Sequence, residues 1–223
     1  MEIDSQSFIG KIISGREVVR INILDDEASL IGRLYPVTRS VLADNDLIQK
    51  LTNWRNLARR YFFTQFIATC DRTRNWIENT VLQDRSRLLF IIHSKIKPIG
   101  QYGFKRLSVE SVELDNLMRG EMGGHPRLIY RAEIALIDWI FSVFDVNRIY
   151  AFILSDNHIA LNLHKSVGFK MSQRIPLSKV EFQGEIHLQK GTPGCQSPDG
   201  LYAQKVELER SDFIRRKDLQ RER

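Results

Sequence analysis

Between Val112 and Phe169 the hydrophobic pattern changes period repeatedly, and that succession leaves few architectures open. Val112-Glu113-Leu114-Asp115-Asn116-Leu117-Met118 alternates apolar and polar residues, the period of a strand. Gly120-Glu121-Met122-Gly123-Gly124-His125-Pro126 breaks the pattern as a turn. Ile129, Ala132, Leu136, Trp139, Ile140 and Val143 then recur at helical spacing, which predicts a helix from Leu128 to Phe144. Arg148 to Leu154 reads as a strand, Ser155-Asp156-Asn157 caps a helix from His158 to Val167, and Gly168 ends it. A strand–loop–helix–strand–helix order buries its apolar faces only as an α/β domain on a mixed sheet.

The flanking segments extend that sheet. Leu88 to His93 is a short continuous apolar run, the mark of a strand covered on both faces, and Ile99 to Phe104 follows it across a turn. Upstream, Val41, Leu42, Leu47, Ile48, Leu51, Trp54 and Leu57 predict a helix with Thr38 as its N-cap, and Asp71 to Leu82 a second. Leu30 to Tyr35 reads as a strand stopped by Pro36. Phe8 to Ile13 and Val18 to Leu24 read as two strands around Ser14-Gly15-Arg16. If they add to the sheet of a second copy, they make the protein a homodimer. Val180 to Leu188 and Leu201 to Leu208 read as a closing pair of strands joined by the loop 191–200. The organisation expected is an extension over 1–28, a main domain over 29–210 and a basic tail over 211–223.

Composition excludes several classes. At 43% hydrophobic and 27% charged residues, the 223-residue chain has the balance of an ordinary globular domain, not of a disordered one. No apolar run approaches the roughly 20 residues that span a bilayer, so no membrane role is expected. The N-terminus lacks a basic and apolar leader, and Cys70 and Cys195 stand alone, without metal spacing. A cytoplasmic protein with no disulfide framework and no metal is the expectation.

The formal net charge is +6, which suits small polyanions as well as nucleic acid. No nucleic-acid-binding motif accompanies it, so no nucleic-acid partner is expected. The segment Arg119 to Ile129 gives the charge a specific place. A strand that ends in a glycine-containing turn and opens a helix presents unpaired amides, and the helix dipole favours an anion there. Arg119 and Arg127 flank it. Neither the P-loop spacing nor the dinucleotide fingerprint is present.

The block Arg148 to Phe169, with Asn157, Ala160, Leu163 and Gly168-Phe169 in register, resembles the second conserved block of the GNAT superfamily of N-acetyltransferases, Asn-x-x-Ala-x-x-Leu-Tyr-x-x-x-Gly-Phe. The helix ending Ile137-Asp138-Trp139-Ile140-Phe141 and the early Asn53-Trp54-Arg55-Asn56 resemble other parts of that family. The resemblance covers roughly 30–208. It implies a mostly antiparallel sheet flanked by helices, with a V-shaped gap between the fourth and fifth strands that takes acetyl-CoA. It also implies direct attack of an acceptor amine on the thioester.

Carried over by position, the resemblance assigns the pantetheine amides to backbone groups near Leu117, Met118 and Arg119. The pyrophosphate falls to Gly123, Gly124, His125, Arg127, Leu128 and Ile129, and the pantetheine arm to Asn157. Glu113 becomes the base, and Asp115, Arg55 and Tyr102 substrate contacts. His164 occupies the place of the usual thiolate-protonating Tyr, and Gly124-His125-Pro126-Arg127-Leu128-Ile129 departs from the family's glycine-rich loop. The arginines around Asn53-Trp54-Arg55-Asn56 and the stretch to Trp76-Ile77 resemble the branch that acetylates nucleotide-linked amino sugars. A branch acting on ribosomal-protein N-termini shares much of this pattern, and a non-catalytic acyl-CoA-binding module is a third reading.

Overall fold

The computed structural model describes residues 4–221, which form two compact units. The first comprises the residues up to Leu57 together with Ala68–Val146; the second comprises Ala58–Ile67 and the residues from Asn147 onward.

The first unit is an antiparallel sheet with helices against it. Its strands are β1 (Ile21–Leu24), β2 (Leu30–Pro36), β4 (Leu88–Ser94), β5 (Pro98–Lys105) and β6 (Ser111–Arg119), paired in that order. Helix α4 (Leu128–Val143) packs on β1, β2 and β4. Phe90 and Phe104 meet Trp139 there, and Trp139 stands edge-on to Phe144 at 5.5 Å. Helices α2 (Asn45–Leu57) and α3 (Cys70–Trp76) pack on each other, and the Thr52 hydroxyl donates to Thr73 Oγ1 at 2.7 Å in their contact.

Three expectations need correction here. Phe8 to Ile13 is not a strand: Ser5–Ile13 is helix α1, capped by Asp4, whose side chain accepts from the Gln6 amide. Ile9, Ile12 and Ile13 sit at i, i+3 and i+4 and are buried, a spacing that six apolar-rich residues share with a short strand. Thr38 does not cap α2; a 3-10 turn, Arg39–Ala43, intervenes, and Asp44 Oδ1 accepts from the Leu47 amide at 2.9 Å. The helix expected over 71–82 is α3 followed by a wider π-helical turn, Ile77–Val81.

The second unit is also antiparallel. Strand β7 (Arg148–Leu154) pairs with β10 (Leu201–Glu209), β10 with β8 (Lys170–Phe182), β8 with β9 (Glu185–Lys190), and β9 with the two-residue β3 (Thr64–Gln65). The single strand expected over 180–188 is in fact a hairpin. Gln183 and Gly184 both have positive φ, 50° and 76°, which is how a two-residue turn matches strand twist. Helix α5 (His158–Val167) follows β7, and α6 (Arg210–Arg221) follows β10 with Phe213 buried.

Tyr102 corrects a site assignment. It is 1% exposed, and its hydroxyl donates to Glu133 Oε1 on α4 at 3.3 Å. It is therefore part of the core beneath α4 and not a wall of an acceptor pocket. Burial first, and the Glu133 carboxylate second, raise its pKa well above 10.0. Because the folded value exceeds the unfolded one, this contribution to stability is complete below pH 10.0 and is lost as pH rises through the folded value. Ultraviolet titration of the native protein should leave at least one of the six tyrosines silent until alkaline unfolding. A full tyrosinate amplitude in native protein would contradict the burial argument.

Candidate active site

The residues expected at the site fall in two regions, one in each unit. In the first unit, β6 breaks register against β5: Gly103 pairs with Asp115 and Gln101 with Met118. Asn116 fills the irregularity with φ 58°, a left-handed conformation that a short polar side chain tolerates. The ladder to β5 is therefore interrupted at Asn116 and Leu117 and resumes where Met118 pairs with Gln101.

Glu113 and Asp115 lie before the irregularity and share a cluster of cations. Glu113 Oε1 faces Lys105 Nζ at 3.4 Å and Oε2 accepts from Arg106 at 2.8 Å, with 6% of the side chain exposed. Asp115 Oδ1 accepts from Lys105 at 3.0 Å and Oδ2 from Asn116 Nδ2 at 2.6 Å, with 21% exposed. Arg87 adds a third cation, 3.6 Å from Asp115. Both Glu113 oxygens thus face cations, and the residue anchors the cluster from the strand side. Arg55 belongs to the same neighbourhood. Burial, and then repulsion from Arg72, lower its pKa to about 10, against the attraction of Asp115. The structure thus brings together Arg55 and Asp115, which the sequence placed on the acceptor.

The turn between β6 and α4 is built by charge. The Arg119 guanidinium donates to the carbonyls of Glu121 at 3.3 Å and Gly123 at 3.0 Å, so this side chain shapes the loop. Glu121 accepts from Lys50 at 2.9 Å and Lys97 at 2.8 Å, and the Lys97 and Lys50 hydrogen bonds hold its pKa below 4.5. Arg127 and Arg131 both pair with Asp26 in the β1–β2 turn. Asp25 builds that turn, its Oδ1 accepting from the amides of Glu27 and Ser29. Gly123 and Gly124 have φ 110° and 73°, which turns the chain back toward the helix.

At the helix start His125 Nδ1 accepts from the Arg127 amide at 3.2 Å, and the His125 carbonyl from the Leu128 amide at 2.9 Å. His125 therefore orders the loop from within. The first bond inside the helix runs from Arg131 to Arg127, so the amides of Ile129 and Tyr130 precede it and have no acceptor in the helix. Five cations, Lys50, Lys97, Arg119, Arg127 and Arg131, surround a turn with two acids, Glu121 and Asp26. That donor set fits a diphosphate. None of Lys50, Lys97, Glu121, Asp26 or Arg131 was legible as a site residue, because only the fold brings their long-range charges to the turn.

In the second unit, Asn157 caps α5, its Oδ1 accepting from the Ala160 amide at 3.2 Å, and Gly168 ends the helix at φ 123°. His164 is 4% exposed, edge-on to Phe169 with ring centroids 5.0 Å apart. Among the described residues no group of His, Cys, Asp and Glu is arranged to hold a metal ion, and no helix is long and apolar enough to cross a membrane.

Comparison with known proteins agrees with this architecture. A family model described as an acetyltransferase (GNAT) domain matches residues 34–170. No curated protein sequence matches the chain. Among solved structures, a GCN5-related N-acetyltransferase from Brucella melitensis aligns with TM-score 0.65 at 14% identity, over 89% of this chain and 81% of that one. The spermidine N-acetyltransferase from Vibrio cholerae, solved with CoA and spermine, aligns with TM-score 0.59 at 17% identity, over 81% and 96%. A Salmonella typhimurium acetyltransferase that modifies the N-terminal serine of ribosomal protein L7/L12 aligns with TM-score 0.63 at 11% identity, over 86% and 99%. At such identities these structures share the fold.

Proposed function

This chain belongs to the GNAT family of acetyltransferases, and we propose that it moves an acetyl group from acetyl-CoA to a primary amine on a nucleotide-linked amino sugar. The observation that carries the donor part of this reading is the turn between β6 and α4, where five cations and first-turn amides gather; the acceptor part rests on the resemblance of the stretch Asn53 to Ile77. Acetyl-CoA supplies a thioester carbonyl open to direct attack by the amine. In the first unit, the turn holds the diphosphate and the backbone near Leu117 and Met118 pairs with the pantetheine amides. Asp115, the more exposed of the two strand carboxylates, orients the amine, and water carries its proton away. In the second unit, Asn157 turns its amide toward the pantetheine arm and His164 protonates the departing thiolate.

Titration calorimetry with acetyl-CoA and CoA tests the donor. Micromolar binding is expected, weakened about tenfold or more by Arg127→Glu, which replaces a cation with an acid beside Asp26. No binding of either ligand would remove the donor. A thiol-release assay then ranks acceptors, with nucleotide-linked amino sugars expected above spermidine and above a peptide bearing a free N-terminal serine. Preference for the peptide would move the chain to the protein-modifying reading. CoA binding with no turnover of any amine would make it a binding module.

A further inference from the structure

The second unit contains a half-open cavity of about 350 Å³ at the end of β7 that none of the roles above uses. Its floor is apolar, made by Leu154, Leu177, Ile186 and Leu188, which pack into the cluster around Ile175 and Ala203. Its rim is charged, with Arg60, Arg174 and Lys179 against the single acid Asp156. The cations differ in what already occupies them. Arg60 donates to the Tyr61 hydroxyl and stands over that ring. Lys179 Nζ lies 2.5 Å from Glu181.

Arg174 is held by a ring, not by a charge. Its Cζ is 3.7 Å from the centroid of Tyr202, and no carboxylate pairs with it among the described residues. Tyr202 is fixed in turn: its hydroxyl accepts from the Ser197 amide at 3.3 Å, and its carbonyl from the Ser155 hydroxyl at 2.9 Å. A guanidinium seated on a ring keeps its in-plane N–H donors in the fork that matches a carboxylate or phosphate. The volume lies at the small end of the range of about 300–1,000 Å³ for small-molecule sites.

We propose that this cavity receives the acceptor by an anionic group, carboxylate or phosphate, at Arg174, with an apolar body on the Leu154–Leu188 floor. The substrate is then an amphipathic amine that also carries a negative charge. The identification as acceptor rests on the acetyltransferase reading; the anion site does not.

The test separates the two. Calorimetry without acetyl-CoA compares hexyl phosphate, hexanoate and hexan-1-ol, which share a body and differ in the head. Both anions are expected to bind at least about tenfold more tightly than the alcohol, and the stronger of the two identifies the head group. Arg174→Gln should erase that difference, and Arg174→Lys should restore part of it while losing the fork. Equal binding of all three probes, or an anion preference unchanged in Arg174→Gln, overturns the proposal. With acetyl-CoA present, 6-aminohexyl phosphate should show a KM about tenfold below that of hexylamine, and Arg174→Gln should close the gap. Binding of the anions without acetylation of either amine upholds the anion site and overturns its assignment to the acceptor. Acetylation of both amines with a common KM, unaffected by Arg174→Gln, overturns that assignment while upholding the acetyltransferase reading.

Discussion

Replacing Gly120 by alanine is expected to cost about 3 kcal/mol or more of stability, seen as a lower urea midpoint with an unchanged slope. The reason is local and steric. A Cβ at this position would lie inside the indole of Trp54, which is 2% exposed and therefore cannot swing into solvent. The backbone cannot retreat easily either, because the amides of Gly120 and Glu121 both donate to the Ile99 carbonyl, at 2.8 and 3.0 Å. The donor turn begins here, so the residual folded protein should also bind acetyl-CoA less well. Trp54→Phe supplies the check: alone it is destabilising, and in combination with Gly120→Ala it should recover part of the loss. Strict additivity in that cycle would show that the indole is not what the methyl meets.

The second large effect concerns His164, on the proposed mechanism. His164→Gln should lower kcat by about 10²-fold with little change in the KM for acetyl-CoA, as expected for loss of a proton donor. His164→Tyr should retain most of the activity, because a phenol can fill the same role. The competing account is packing alone, since His164 is buried against Phe169. In that case both variants would lower Tm, kcat would follow the folded fraction, and tyrosine, the larger residue, would give no rescue. The pH profile of kcat separates the accounts further, because only a proton donor moves its limb on substitution.

Elements with an unambiguous period were readable from the residues: β4, β5, β6, α4, β7 and α5 all fall within a residue or two of their expected bounds. What failed were segments whose pattern admits two structures. The run Phe8 to Ile13 is apolar enough for a strand, and only the Asp4 cap and the i, i+3, i+4 spacing of its isoleucines mark it as helix. Strand β8 was invisible because five exposed residues open it and Pro176 interrupts it; the Gln183-Gly184 turn was its one local signal. At the site, the glycine turn, Arg119 and Arg127 were legible, since they are neighbours in sequence. The cation cluster around Glu113 was not, because Lys105 and Arg106 meet it only across the β5–β6 hairpin.

The pairing of Asp26 with Arg127 and Arg131 has a consequence for how this chain can vary. Residues ahead of β2 look, on the page, like an appendage that a lineage could shorten at will. Yet Asp26 supplies the counter-charge that holds two arginines at the mouth of the donor turn, and Ile9, Ile12 and Ile13 are buried in the same unit. With the donor held at that turn, as proposed, trimming the N-terminus would be felt as a change in ligand affinity as well as in folding. Inheritance of the residues ahead of β2 is tied to inheritance of the turn they brace.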